Sequence, residues 1–292
     1  MILQRNMYPF ENSKPTESPM KWNGYEKLVK KEWKSLLSDK NKKEGDFQEF
    51  IEQHPCMLPR PFNYGVGVTD NSFPGVISQP VLPSYDKKVP DFMVMTMNSS
   101  EYCATLIEIE DPAKKWFTTK GNPSANLTQA VNQINSWKIW FDEPKNKISF
   151  LDYYNVSIYS RKHYTFKQGY ILIYGRRDDK TLNYKTNKTR AKLQGNDAFM
   201  TYDRLGPNLA LSNSLCVKLK NDRYQAVSIP PTFEYTENYD YHLCLIKGKK
   251  EAVNKNKYMN EEQKKYLIKQ FSGLDQWGEG NISANSIEIF GM

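Results

Sequence analysis

The chain has 292 residues, 39% of them apolar and 13% aromatic, enough to bury a sizeable core and too hydrophobic for general disorder. Lysine and arginine number 41 against 33 aspartates and glutamates, a formal charge of +8 that favours an acidic partner, nucleic acid first. Three histidines (His54, His163, His242) and four distant cysteines (Cys56, Cys103, Cys216, Cys244) leave little for a zinc site or a histidine relay; with no signal-peptide core and no membrane-length apolar run, a cytoplasmic protein with reduced thiols is expected.

Residues 1–21, with Pro9, Pro15 and Pro19 among polar neighbours, read as an irregular arm. Tyr25, Leu28, Val29, Trp33, Leu36 and Leu37 recur at three- and four-residue spacing and predict an amphipathic helix. After a polar break at residues 38–43, Phe47, Phe50 and Ile51 mark a second helix that ends at Pro55. Glu44 stands at its start, where the helix dipole favours a carboxylate whatever else that carboxylate does. Residues 55–89 are rich in Pro, Gly, Ser and Asn and predict a long surface loop with short strands such as Gly75-Val76-Ile77-Ser78. Loops of that length border something. Tyr64-Gly65-Val66-Gly67 is no nucleotide loop, because no lysine and hydroxyl follow at the phosphate-binding spacing.

The stretch from Pro90 to Phe141 carries the chemistry. Asp91 opens an apolar run, Phe92-Met93-Val94-Met95, which a hairpin at Asn98-Ser99-Ser100 can lay beside a second strand. In that strand Cys103, Thr105, Ile107 and Ile109 point one way and Ala104, Leu106, Glu108 and Glu110 the other, so two carboxylates leave one face about 7 Å apart. With Asp91 adjacent, three carboxylates can converge, the oxygen set that Mg²⁺ or Mn²⁺ takes beside a phosphate. The competing interpretation is that the acids solvate an edge strand or pair with lysines. Asp111-Pro112 stops the ladder, and Lys114, Lys115 and Lys120 follow in the connection, candidates for a phosphate backbone or for a solvated cluster. Asn122 as cap and Pro123 at the first position predict a helix whose stripe is Leu127, Ala130, Ile134, Trp137 and Phe141, with Gln133 beside that stripe.

Further strands are expected at Val156 to Tyr159 and, buried, at Tyr170-Ile171-Leu172-Ile173-Tyr174. Arg176 and Arg177 follow as candidate phosphate ligands, though Asp178 and Asp179 can pair with them. Residues 182–195 predict a basic helix and Thr201 caps a short one. Strands at Tyr224 to Ile229 and Tyr241 to Ile246, the basic tract Lys247-Gly248-Lys249-Lys250 and a helix from Glu261 to Phe271 complete the chain, without repeats.

In order, Glu44-Gly45-Asp46-Phe47-Gln48-Glu49-Phe50-Ile51-Glu52-Gln53-His54-Pro55, Pro90-Asp91-Phe92, Ile107-Glu108-Ile109-Glu110, Gln133-Ile134-Asn135-Ser136-Trp137, Ile173-Tyr174-Gly175-Arg176 and Thr201-Tyr202-Asp203-Arg204-Leu205 resemble the Shedu family of bacterial antiphage defence proteins. The resemblance covers roughly residues 40–210 and implies an α/β fold with a restriction-endonuclease-like PD-(D/E)xK core, a mixed central sheet flanked by helices. It divides the chain into an arm and helix at 1–40, a nuclease-like domain at 41–210 and an extension at 211–292. By position, Asp91 and Glu108 resemble the family's metal-binding acids, Glu44 the acid of the first helix and Gln133 the polar residue behind the active strand. Glu110 departs from the pattern, because the parent fold usually has a lysine there; a glutamate would more naturally ligate metal or accept a proton from water. The implied activity is Mg²⁺-dependent DNA cleavage, with Mn²⁺ as an alternative ion, by a homo-oligomer without membrane attachment. Its alternatives are a degenerate nucleic-acid-binding defence protein and a structural or interaction protein.

Overall fold

A computed structural model describes residues 19–59, 75–83, 89–98, 100–156, 158–221, 223–235 and 243–281. Most of the expected N-terminal arm, the Tyr64 to Gly67 pair and residues 241–242 of an expected strand lie outside them. The sheet is built from β1 (Gly75–Ser78), β2 (Phe92–Met97), β3 (Glu101–Ile109), β4 (Thr165–Ile173), β5 (Ala198–Met200), β6 (Leu215–Lys220), β7 (Arg223–Ser228) and β8 (Ile246–Lys247). Its order is β5-β4-β3-β2-β1-β6-β7-β8, a mixed sheet. β2 runs antiparallel to both of its neighbours, β1 and β3, while β3, β4 and β5 are parallel and β6 joins β1 in parallel.

Helices α1 (Trp22–Ser38), α2 (Glu44–Gln53), α3 (Ala125–Asp142), α4 (Pro144–Tyr153), α5 (Ile158–His163), α6 (Tyr184–Gln194), α7 (Lys249–Lys255) and α8 (Glu261–Asn281) flank it. Alternation in β3 divides two cores, as the sequence predicts. Ala104 and Leu106 pack with Leu127, Ala130, Ile134 and Trp137 of α3 and with Phe271 of α8. Ile107 and Ile109 pack with Tyr25, Val29 and Trp33 of α1 and Phe47 and Ile51 of α2. No helix among the described residues is long and apolar enough to cross a membrane.

Four local expectations are corrected. α3 begins at Ala125, capped by Ser124, whose side chain accepts a hydrogen bond from the Leu127 N–H at 3.0 Å; Pro123 lies before the cap. The strand expected to run from Val156 to Tyr159 does not reach its end, because a helix starts at Ile158. Thr201 precedes a single 3₁₀ turn, Tyr202–Arg204, without capping it through its side chain. The expected surface segment Gly75–Ser78 is a fully buried strand held between β2 and β6. Beyond residue 210, β6 to β8 continue the same sheet, and Lys249 of the basic tract is buried and ion-paired with Asp275 at 2.6 Å.

Candidate active site

The end of β3 gathers the acids because three elements stop there. Asp91 is the residue before β2, opposite the last turns of the β3 ladder, and its Oδ2 accepts the Ile109 N–H at 2.8 Å. Glu108 still lies in the ladder, paired with Leu172 of β4, and faces α3. Gln133, one turn along α3 from Ala130, donates from Nε2 to Glu108 Oε1 at 2.6 Å. Glu110 follows the strand, held by its N–H to Ile173 O at 3.0 Å. Glu44 opens α2, which Phe47 and Ile51 press onto the opposite core.

The sequence-predicted acids and Gln133 therefore come together, with one difference in emphasis. Glu110 Oε2 is bound by Lys114 Nζ, which also lies 3.8 Å from Glu44 Oε2. Lys114 is thus a cation inside the cluster, the acid–lysine pairing that competed with the metal interpretation of the sequence, rather than a phosphate contact or a solvated lysine. Among the described residues no group of three or more His, Cys, Asp or Glu stands arranged to hold a metal ion, and Glu110 is turned to this lysine.

Electrostatics single out the inner pair. Burial, then the charges of Asp91, Glu110 and Glu44, push Glu108 far above the ordinary carboxylate range. Burial also raises Asp91, against the opposing hydrogen bond from Ile109. Glu44 is raised by burial and by Glu110, with Lys114 opposing. A carboxyl that receives one hydrogen bond on Oε1 and has Oε2 buried without a partner is costly as it stands. An unpartnered Glu108 oxygen with Asp91 near it, both crowded by negative charge, is an arrangement that a hard divalent cation would relieve.

The basic candidates divide. Arg176 is engaged in the fold: Nε and Nη2 fork onto Asp203 at 3.0 and 2.8 Å and Nη1 donates to Leu37 O at 2.9 Å. Arg177 and Lys120 are exposed, and exposed Lys115 sits 3.7 Å from Asp179. Asp179, which the sequence suggested as an arginine partner, is buried and accepts the Trp116 N–H at 2.8 Å, fixing the loop that carries Lys114. Tyr202 escaped notice as a site residue. Its ring packs with Trp33 and Phe47, its hydroxyl is buried without a partner, and its ionisation is opposed by burial and then by Asp91 and Glu44. The one sequence signal for it was its place in the Thr201 to Leu205 segment.

No curated protein matches the chain. A family model described as Shedu protein SduA, C-terminal, matches residues 41–205, which begin just before Glu44, end just after Tyr202 and include every acid gathered at the end of β3. That match spans more than half of the sequence, so the chain belongs to the Shedu family of antiphage defence proteins.

Proposed function

We propose that this defence protein hydrolyses DNA phosphodiester bonds with Mg²⁺, or Mn²⁺, at the Asp91 and Glu108 carboxylates. The observation that carries the proposal is the buried, partnerless Oε2 of Glu108 beside Asp91 in a crowd of acids. Asp91 and Glu108 would hold the ion, and its chemistry when bound is to polarise a phosphate oxygen and acidify water. Gln133 fixes the Glu108 carboxyl through Oε1 and leaves Oε2 free to ligate. Glu110 either completes the ligand set or accepts a proton from water, and in both roles it must release Lys114. Lys114 then supplies positive charge next to the scissile phosphate, as a point charge on a flexible stem. Lys115, Lys120 and Arg177 offer phosphate contacts that position a strand without reading its bases.

The test uses the full chain with supercoiled, linear and single-stranded DNA in Mg²⁺, Mn²⁺ or EDTA. Cleavage in either metal, none in EDTA and none by Glu108→Gln is expected. DNA binding without metal-dependent cleavage would leave the protein a degenerate binder, and neither property would make it an interaction protein.

A further inference from the structure

Across the start of β3, β4 and β5 runs an open groove of about 740 Å³, a volume in the range of small-molecule sites. Its floor is made of small residues. Thr105 lies so close to Gly169 that a Cβ there would come 2.9 Å from the threonine hydroxyl, and Ala198 continues the strip on β5. The acids lining the groove are already paired, Glu101 with Lys167 and Asp197 with Lys138 at 2.5 Å. Arg190 is different. Half-buried on α6, it makes no ion pair among the described residues, and its guanidinium stacks over the Trp116 ring at 5.1 Å. Burial and then the charge of Arg204 make its protonated form less favourable. A planar guanidinium stacked on an indole keeps its edge free for a bidentate oxyanion, and a neighbouring arginine in the same groove increases the pull.

We infer that this groove binds a nucleotide phosphate, with Arg190 as its anchor and Arg204 beside it. Two features favour nucleotides over other anions. The groove holds more than a bare phosphate, and Trp116, on which Arg190 stacks, belongs to the loop that sends Lys114 into the acid cluster. α6 carries no acid, and of its basic residues Arg190 lines the groove. The phosphate can belong to a free nucleotide or to a strand that continues from the acids; the contact chemistry is the same. Neither metal nor cleavage enters into it.

The test is fluorescence anisotropy of the full chain in EDTA, with labelled adenosine triphosphate in one arm and a labelled, 5′-phosphorylated short single-stranded DNA in the other. Arg190→Gln should weaken at least one arm by about tenfold, the size of one lost charge-assisted contact. Loss confined to the nucleotide arm assigns a free ligand, and loss in the DNA arm assigns the strand. Lys192→Gln removes the same charge from an exposed position of the same helix and should change affinity by less than about twofold, on the scale of a screened surface charge. Both arms are read in EDTA, where no divalent ion is held, which keeps this test separate from the cleavage assay. Arg204→Gln serves as the second variant if Arg190→Gln does not fold. No binding of either probe by the wild type, or equal losses for Arg190→Gln and Lys192→Gln, would overturn the inference.

Discussion

Glu108 is a carboxyl whose surroundings favour its neutral form while its unpartnered oxygen asks for a cation, and that conflict makes its replacement informative. Glu108→Gln keeps the shape and the Gln133 contact region while removing the ligand charge. Metal-dependent cleavage should disappear in Glu108→Gln and in Asp91→Asn, with DNA affinity within about twofold of wild type because phosphate contacts lie elsewhere. Thermal unfolding gives an independent readout: added Mg²⁺ should raise the midpoint of the wild type and leave both variants where they were. Full activity in Asp91→Asn would remove the site assignment. Glu110 poses the opposite question, since its partner Lys114 already brings a cation to its carboxylate. Glu110→Lys should therefore set two ammonium groups against each other and against a divalent ion. Weaker metal affinity and lower turnover are expected, with equal or tighter nonspecific DNA binding from the added charge. A metal titration of cleavage beside a salt titration of binding checks this; equal turnover with an unchanged metal requirement would show that Glu110 is dispensable.

Between elements, Arg176 joins the end of α1 to the turn after β5, through the Leu37 carbonyl and the Asp203 carboxylate. Asp203 is held below the ordinary carboxylate range by Arg176 and the Arg177 N–H, against the opposing effect of burial. Hydrogen bonds to charged groups in such a position are worth about 2 kcal/mol net, so Arg176→Ala should lower unfolding free energy by about that amount in urea titrations. DNA affinity of the folded variant should stay within about twofold, and a large loss of affinity at unchanged stability would return Arg176 to the phosphate track. Local pattern made β3 and α3 legible, because period two and a helical stripe both state which face is buried, while the place of Gln133 behind the strand of Glu108 came from the family resemblance. The same local reasoning misplaced the cap of α3. Asn122 and Ser124 are both good caps, and only the fixed path of the loop, held by Asp179 and Thr181 on the Trp116 and Phe117 N–H groups, selects Ser124.

Over the whole molecule, the features hidden from sequence are those set by partners far away in the chain. Gly75–Ser78 reads as a short strand on the surface because proline and glycine surround it, yet β6 pairs with it from residues 215–217 and buries it. The same long reach joins α1, α2 and the C-terminal segment around His54, at the end of α2. Tyr25 Oη and His54 Nδ1 share a hydrogen bond at 2.8 Å, Glu32 Oε2 lies 3.8 Å from Nε2, and Tyr258 O–H donates to that same glutamate at 2.5 Å. Burial, with Lys257 adding to it, lowers the His54 pKa to about 4, from the ordinary value of 6.5. The unfolded chain therefore binds more protons between those values, and stability must fall as pH drops from about 6.5 toward 4. The full effect is about 3 kcal/mol for one wholly buried imidazole, and it is absent above the unfolded pKa. His54→Gln can still accept from Tyr25 but cannot titrate. Urea midpoints for the wild type and His54→Gln should run nearly parallel above pH 7 and converge or cross as pH falls through 5, because only the wild type carries the imidazole's proton uptake. Parallel curves throughout would show that the ring titrates normally, and that Tyr25, Glu32 and Tyr258 hold the N- and C-terminal segments together without it.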